Sequence, residues 1–153
     1  MITIEPVPSD DEELAKLRQE LRADLSARYP EFGADSDDHL TADIRFLLMR
    51  ESGAAIGCCA LQPNPASGLD GLELKRMYVV PTSRGTGAAV KLLDAAEALA
   101  RELGAPRIYL ETGTGQPEAI RFYERGGYTG IPPYPPYLDS PVSIAYEKVF
   151  EAE

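Results

Sequence analysis

The sequence predicts a single α/β domain that spans residues 1–153. Three observations support this class. The length of 153 residues is close to the usual size of one domain. Segments with the alternating or continuous apolar residues of strands are interleaved with segments whose apolar residues recur at helical spacing. We find no internal repeat and no change of composition that would mark a second domain.

The first strand is predicted at residues 1–7, and a helix should follow it. Ser9 and Glu12 have the spacing of a capping box that opens this helix, and Pro30 should end it. The apolar positions of the helix fall at helical spacing: Leu14, Leu17, Leu21 and Leu25. Residues 31–43 are polar and rich in turn formers, which favours a loop with a short helical piece.

A β-hairpin is predicted next, from strands at residues 44–51 and 54–62 with a tight turn between them. Cys58 and Cys59 are adjacent in its second strand, where neighbouring side chains point to opposite faces. This placement suits neither a disulfide nor a zinc site, so both cysteines are expected to be core residues.

The second half alternates strand and helix. Strands are predicted at residues 72–80, 107–112 and 142–150, and helices at residues 88–103 and 116–125. In the first of these helices Glu97 and Arg101 have the spacing of an ion pair, and Gly104 should end it. The segment 130–141 is expected to be the loop before the last strand.

The turn between strand 72–80 and helix 88–103 has the composition of an anion site. The first N–H groups of a helix have no partner within the helix, and the helix dipole adds positive potential there. Gly85 and Gly87 would let a phosphate approach the backbone, and Arg84 would add a fixed positive charge. The Walker and dinucleotide-binding patterns do not match. On spacing alone, a glycine turn before a helix is more often a packing device than a ligand site.

Two motifs carry a more specific resemblance. Arg84-Gly-Thr-Gly-Ala-Ala89 resembles the R/Q-x-x-G-x-G/A signature of the GNAT acetyltransferase superfamily, and a strand precedes it as in that family. The segment from Gln116 to Tyr128 resembles the family's second motif, N-x-x-A-x-x-F-Y-x-x-x-G-F, in the expected order and spacing. Gln116 stands where the family often has Asn, and Tyr128 where it often has Phe.

The resemblance implies a GNAT-like fold and acetyl-CoA as cofactor. This fold has a mixed, mostly antiparallel sheet flanked by about four helices, and the sheet is splayed where pantetheine enters between strands 72–80 and 107–112. Backbone groups of Met77 and Val79 would pair with pantetheine. The residues implied to contact the cofactor elsewhere are Arg84, Gly85, Thr86, Gly87, Ala88, Ala89, Gln116, Ala119, Phe122 and Tyr123.

The resemblance also suggests catalytic roles. Glu73 would be the general base, acting through water, and the Met77 N–H would polarise the thioester carbonyl. Period-two geometry places residues 73, 75 and 77 on one face unless a bulge intervenes. Glu73 could instead be a strand-edge carboxylate that is paired with Lys75 or Arg76. Glu111, at the end of the neighbouring strand, is the alternative base. Tyr123 matches the family tyrosine that gives a proton to the leaving thiolate.

The expected function is that of an N-acetyltransferase that moves an acetyl group from acetyl-CoA to a primary amine of a small molecule or peptide by direct attack. The alternatives are a non-catalytic acyl-CoA-binding regulatory protein of the same fold and a protein-interaction module. Candidate acceptor contacts are Tyr29, Phe32, Glu111, Tyr134 and Tyr137. The segment 130–141 could also be a plain connection or a polyproline ligand. His39 is the only histidine and should be solvated, so no metal site is expected.

Charge and composition limit the partners. The formal net charge of -10 disfavours nucleic acid and anionic membranes, and it makes an amine substrate easier to accommodate. No apolar run approaches the length of a membrane-spanning helix. The N-terminus lacks the pattern of a secretion signal, so a cytoplasmic location is expected. A homodimer is possible by the resemblance.

Overall fold

The computed structural model describes residues 1–30 and 40–151. These residues form seven strands and three α-helices, together with two short 3-10 turns at Pro65–Ser67 and Pro81–Ser83. In chain order the elements are β1 (Ile2–Val7), α1 (Glu12–Arg28), β2 (Arg45–Glu51), β3 (Ala54–Gln62), β4 (Leu72–Val79), α2 (Ala88–Glu102), β5 (Arg107–Gly113), α3 (Pro117–Arg125), β6 (Thr129–Ile131) and β7 (Ser143–Val149).

All seven strands belong to one sheet in the order β1-β2-β3-β4-β5-β7-β6. Every neighbouring pair is antiparallel except β4 and β5, which are parallel. The parallel pair is short, because only Leu72–Ile108 and Glu73–Tyr109 are in register before the strands separate. The expectation of a mixed, mostly antiparallel sheet with a splay between these two strands is confirmed.

Helices cover both faces of the sheet. The leucines of α1 pack on one face against Phe46 and Leu48, and α2 packs on the other face with Leu47 and Leu74. Because side chains alternate along a strand, Cys58 and Cys59 belong to different faces, and both are buried free thiols. Burial raises the pKa of the Cys58 thiol to about 12. The two cysteines are core residues, as the sequence predicts.

The start of α1 differs from the predicted capping box. Asp11, not Ser9, precedes the helix, and its carboxylate accepts a hydrogen bond from the Leu14 N–H at 2.9 Å. An aspartate at this position satisfies one of the unpaired N–H groups and also complements the helix dipole. The cap therefore lies two residues later than the Ser9 prediction.

The predicted ion pair within α2 is wrong. Glu97 is 6% exposed and accepts hydrogen bonds from Tyr128 Oη and Lys148 Nζ, each at 3.0 Å. Arg101 instead lies over the ring of Phe150. Glu97 is on the buried face of α2, so its partners come from later parts of the chain and not from the next helical turn.

Two further expectations concern regular structure. Strand β6 occupies the start of the predicted loop 130–141; it has only three residues, which is too short to show a periodic pattern. The fourth helix was expected between residues 31 and 43, and residues 31–39, with Phe32 and His39, lie outside the described part of the chain.

No helix in the described residues is long and apolar enough to cross a membrane.

Candidate active site

A cavity of about 750 Å³ lies where β4 and β5 separate. Its walls come from the second half of α1, most of β4, the turn before α2, the end of β5, one side of α3 along its length and residues 137–143. The predicted site residues that line it are Tyr29, Glu73, Met77, Val79, Arg84, Gly85, Ala89, Glu111, Gln116, Ala119, Phe122, Tyr123 and Tyr137. Thus the fork in the sheet gathers residues that are far apart in sequence.

The turn before α2 is open toward solvent. Gly85 and Gly87 have φ values of 77° and 86°, and a Cβ added at either would meet no atom within 4 Å. Positive φ is unfavourable for other residues, so glycine is required here by conformation and not by crowding. Gly87 is the N-cap of α2 and has no side chain with which to cap it. This corner fits an anionic group, because it combines open space with the positive end of a helix.

Arg84 lies against the end of β4. Its Nε donates a hydrogen bond to the Val79 carbonyl at 2.8 Å, and its guanidinium lies over the ring of Tyr78. Thr86 donates its hydroxyl hydrogen bond to the Ser83 carbonyl, and Ala88 is buried in the core. The cavity is lined by Arg84, Gly85 and Ala89 of this turn. Its lining does not include the residues between them, Thr86, Gly87 and Ala88.

A β-bulge interrupts β4. Arg76 has a φ of 56°, and the register with β3 shifts so that Tyr78 pairs with Cys58 while Lys75 pairs with Ala60. The extra residue turns Met77 to the α2 face, which it shares with Leu74, while Glu73 points to the opposite face. Residues 73 and 75 share a face, and the bulge, which the expectation had excepted, removes residue 77 from it. No feature of the sequence predicts this bulge. Arginine rarely adopts a positive φ, so the residue type at position 76 does not mark it as a bulged position.

Glu73 is a buried carboxylate in the cavity wall, with 2% of its surface exposed. Tyr134 Oη donates a hydrogen bond to Glu73 Oε2 at 2.7 Å, and Lys75 Nζ lies 3.8 Å from Glu73 Oε1. Burial, followed by the nearby Glu73 charge, raises the pKa of Tyr134, so this phenol remains a hydrogen-bond donor. Glu73 is therefore held by a neutral donor on one side and a cation on the other.

Two tyrosines of the loop before β7, Tyr134 and Tyr137, contact Glu73 and Lys75. Lys75 Nζ donates a hydrogen bond to Tyr137 Oη at 2.7 Å. Tyr134 is 3% exposed, and its ring packs edge-on against Tyr137 and Tyr109. Tyr137 lines the cavity, whereas Tyr134 stands behind the wall and reaches the site through Glu73.

A second carboxylate, Glu111, lines the cavity from β5. Ser143 Oγ donates a hydrogen bond to Glu111 Oε2 at 2.7 Å. Leu110, its neighbour, packs in the α2 core, so Glu111 points to the same face as Glu73. The structure thus brings both candidate bases to one cavity.

The end of α1 is joined to the loop after β5 across the mouth of the cavity. Tyr29 Oη accepts a hydrogen bond from the Gly115 N–H at 3.0 Å, and Arg28 donates one to the Gly115 carbonyl at 3.1 Å. A Cβ at Gly113 would lie 1.9 Å from Tyr29 Oη, so this approach requires glycine. Arg28 also forms an ion pair with Glu118. Tyr29 is a predicted site residue, whereas its partners depend on contacts between distant segments and carry no signal in the sequence.

The predicted residues of α3 face the cavity together. Gln116, Ala119, Phe122 and Tyr123 all line it. Tyr123 is 7% exposed, and burial raises the pKa of its phenol, which therefore stays protonated at neutral pH. Cavity residues that the sequence analysis did not name as site residues include Leu21, Leu25 and Lys75. The two leucines had been recognised only as core positions of a helix.

Comparison with known proteins agrees with this geometry. The family model described as the acetyltransferase (GNAT) family matches residues 14–128. The chain is 40% identical over 106 residues to an IAA acetyltransferase of Azospirillum brasilense, which covers 69% of this chain and 68% of that protein. Among solved structures, a protein from Klebsiella pneumoniae that is described as an acyl-CoA N-acyltransferase is 31% identical to this chain. Its TM-score is 0.78, and the match covers 97% of each chain.

A third relative shows the likeness of fold alone. A GNAT family acetyltransferase from Elizabethkingia anophelis, solved with acetyl-CoA bound, has a TM-score of 0.72 at 16% identity, with 97% of this chain and 98% of that chain covered. Taken with the splayed sheet and its cavity, the comparisons define the protein as an acetyltransferase. The chain belongs to the GNAT acetyltransferase family.

Proposed function

We propose that this protein is an N-acetyltransferase that transfers the acetyl group of acetyl-CoA to a primary amine of a small molecule or peptide by direct attack on the thioester. The observation that best supports this proposal is the convergence of two carboxylates and a protonated tyrosine, Glu73, Glu111 and Tyr123, on one cavity. That cavity opens in the fork of the sheet and reaches the turn at the start of α2.

The residues present fit the cofactor. The open turn from Arg84 to Ala89 would hold the phosphates through the N–H groups at the start of α2. Beyond Glu73 the β4 backbone does not pair with β5, so Met77 and Val79 can offer backbone hydrogen bonds to pantetheine. Gln116, Ala119 and Phe122 would contact it from α3. Acetyl-CoA, when bound, supplies the activated acyl group.

The chain's own residues would manage the protons. An amine must lose its proton to be a nucleophile, and we assign that proton to Glu73, acting directly or through a water molecule. Tyr134 and Lys75 hold the Glu73 side chain in the cavity wall. Glu111 is the alternative base, held by Ser143. Tyr123 Oη holds the proton that the leaving sulfur takes up, and the Met77 N–H would orient the carbonyl that is attacked.

A panel of primary amines tests this function. Free thiol release from acetyl-CoA is followed with a thiol reagent, and the acetylated amine is identified by mass spectrometry. Cys58 and Cys59 are buried and should not interfere with the thiol reading in the native protein. We expect Glu73→Gln and Tyr123→Phe each to lower kcat roughly 100- to 10,000-fold, as is typical for loss of a general base or acid.

Two controls make the test specific. Glu102→Gln makes the same chemical change at an exposed position of α2 and should leave kcat unchanged. Glu111→Gln decides between the two candidate bases, because only the variant of the true base should lose this much activity. Binding of coenzyme A without acetylation of any amine would instead favour a non-catalytic acyl-CoA-binding protein. Full activity in Glu73→Gln, Glu111→Gln and Tyr123→Phe would refute the assigned roles.

A further inference from the structure

The Lys75 ammonium lies in the cavity wall with hydrogen-bonding capacity left over. Its side chain is only 6% exposed. In the described part of the chain its polar contacts are the hydrogen bond to Tyr137 Oη at 2.7 Å and the Glu73 Oε1 atom at 3.8 Å, which is beyond hydrogen-bond distance. An ammonium has three N–H donors, and burying such a group is costly unless the donors are used. A ligand group that accepts hydrogen bonds is therefore favoured beside Lys75.

Lys75 is on the face of the sheet opposite α2. Leu74, its neighbour in β4, packs in the α2 core, so Lys75 and Glu73 point the other way. The turn proposed for the cofactor phosphates lies at the far end of β4, at the start of α2. Lys75 is thus better placed to bind the acceptor than the phosphates. Leu21, Leu25 and Val142 give this half of the cavity an apolar portion, and polar or charged side chains complete its wall: Asp24, Arg28, Tyr29, Arg76, Glu111, Ser140 and Ser143.

From this arrangement we propose that the acceptor is an α-amino acid, whose carboxylate binds Lys75 while its amine lies at Glu73. The inference rests on the proposed function, because it uses Glu73 as the group that meets the amine. The 3.8 Å between Lys75 Nζ and Glu73 Oε1 sets the geometry. Two ligand groups that meet both neighbours from the cavity side lie close together, as an amine and a carboxylate on one carbon do.

Charge supports the same class of acceptor. An amino acid carries one positive and one negative group, and Glu73 with Lys75 offers the complementary pair. A simple amine would satisfy Glu73 and leave the Lys75 ammonium without an anionic partner from the ligand. The leucines and Val142 provide apolar contacts for the side chain of the amino acid.

The test compares matched acceptors on the wild-type protein. Leucine and phenylalanine are each compared with their amides, and leucine with its isomer 6-aminohexanoate, in which the amine and carboxylate are far apart. We expect kcat/KM for leucine or phenylalanine to exceed that of its amide by roughly 10- to 150-fold, the range for one hydrogen bond to a charged group. An amine beside an amide has a pKa of about 8, as at a peptide N-terminus, so it is neutral more often and intrinsic reactivity opposes this preference.

The Lys75 side chain is then tested directly. In Lys75→Met the preference for the acid over the amide should disappear, in Lys75→Arg it should survive in part, and in Lys16→Met, an exposed control on α1, it should be intact. Thermal unfolding checks that each variant is folded. If Lys75→Met does not fold, the wild-type comparison of acid, amide and isomer still decides the question.

The outcomes separate the two proposals. Equal kcat/KM for acid and amide, equal use of 6-aminohexanoate, or an intact acid preference in Lys75→Met would overturn the amino-acid assignment while acetylation of amines stands. If no amine is acetylated, the proposed function fails. The same ligands are then ranked by calorimetry on the protein saturated with coenzyme A. A binding preference for leucine over leucinamide that depends on Lys75 would still support the carboxylate site. Equal binding of the two ligands would refute the carboxylate site.

Discussion

The sharpest test of the cofactor assignment exchanges one glycine at each end of α2. Gly87 precedes the helix and Gly104 follows it. Both have positive φ, 86° and 81°, and a Cβ added at either meets no atom within 4 Å. Gly87→Ala and Gly104→Ala are therefore matched changes, which differ only in the end of the helix that they alter.

The expected magnitudes follow from this match. Placing alanine at positive φ costs about 1–2 kcal/mol of unfolding free energy, so both variants should lose about the same stability. At Gly87 the new methyl group would also keep a phosphate away from the N–H groups at the start of α2. Loss of one hydrogen bond to a charged group is about 1.5–3 kcal/mol, which corresponds to roughly 10- to 150-fold weaker binding of coenzyme A.

Calorimetry gives the dissociation constant for coenzyme A, and urea unfolding gives the stability of each variant. Gly104→Ala should bind coenzyme A like the wild type, and Gly87→Ala should not. If both variants bind coenzyme A within twofold of each other, the phosphates do not lie on the start of α2. A loss of stability in only one variant would show that the two glycines are not equivalent in strain.

Two further predictions concern the folded state. Lys148→Met should lower the unfolding free energy by about 1.5–3 kcal/mol, because Glu97 loses a charge-assisted hydrogen bond, and adding Glu97→Met should recover much of this loss. Urea unfolding measures the stability of both variants, with Lys16→Met as an exposed control. A double variant that is no more stable than Lys148→Met would contradict the pairing. Tyr123, Tyr128 and Tyr134 have pKa values raised by burial, so the stability that they contribute is fully present below the ordinary phenol pKa of about 10 and is lost as pH rises above it. Phenolate absorbance should therefore show these three tyrosines titrating only with unfolding, and ionisation of all tyrosines near pH 10 in the native protein would argue against their burial.

Much of the fold could be predicted from local patterns. The strands and the helices of the second half follow from period-two and helical spacing, and the turn at Gly85 and Gly87 marks the start of α2. Local signals failed where tertiary contacts decided the outcome. Glu97 has the spacing for a pair with Arg101, but the burial of its helical face gives it Tyr128 and Lys148 as partners. The three-residue strand β6 exists only because β7 is beside it.

The candidate site shows the same division. Tyr123 and Arg84 could be named from motif positions and Glu73 from the family resemblance, and the structure places all three around one cavity. A bulge in β4 could be named only as an exception to the alternation of faces, and the bulge at Arg76 reverses the face expected for Met77. Lys75 was noticed only as a neighbour of Glu73, since its burial and its contact with Tyr137 depend on how the loop before β7 folds back.

The sequence by itself determined the order of the elements, the glycine turn that starts α2 and the two motifs that indicate a coenzyme A thioester. These are local features, encoded in the spacing and conformational freedom of neighbouring residues. The tertiary structure alone decided which polar groups meet: Glu73 with Tyr134, Lys75 with Tyr137, and Tyr29 with Gly115. Such pairs join segments that are distant along the chain, so they depend on strand register and on the packing of loops against the sheet, which a local pattern does not specify.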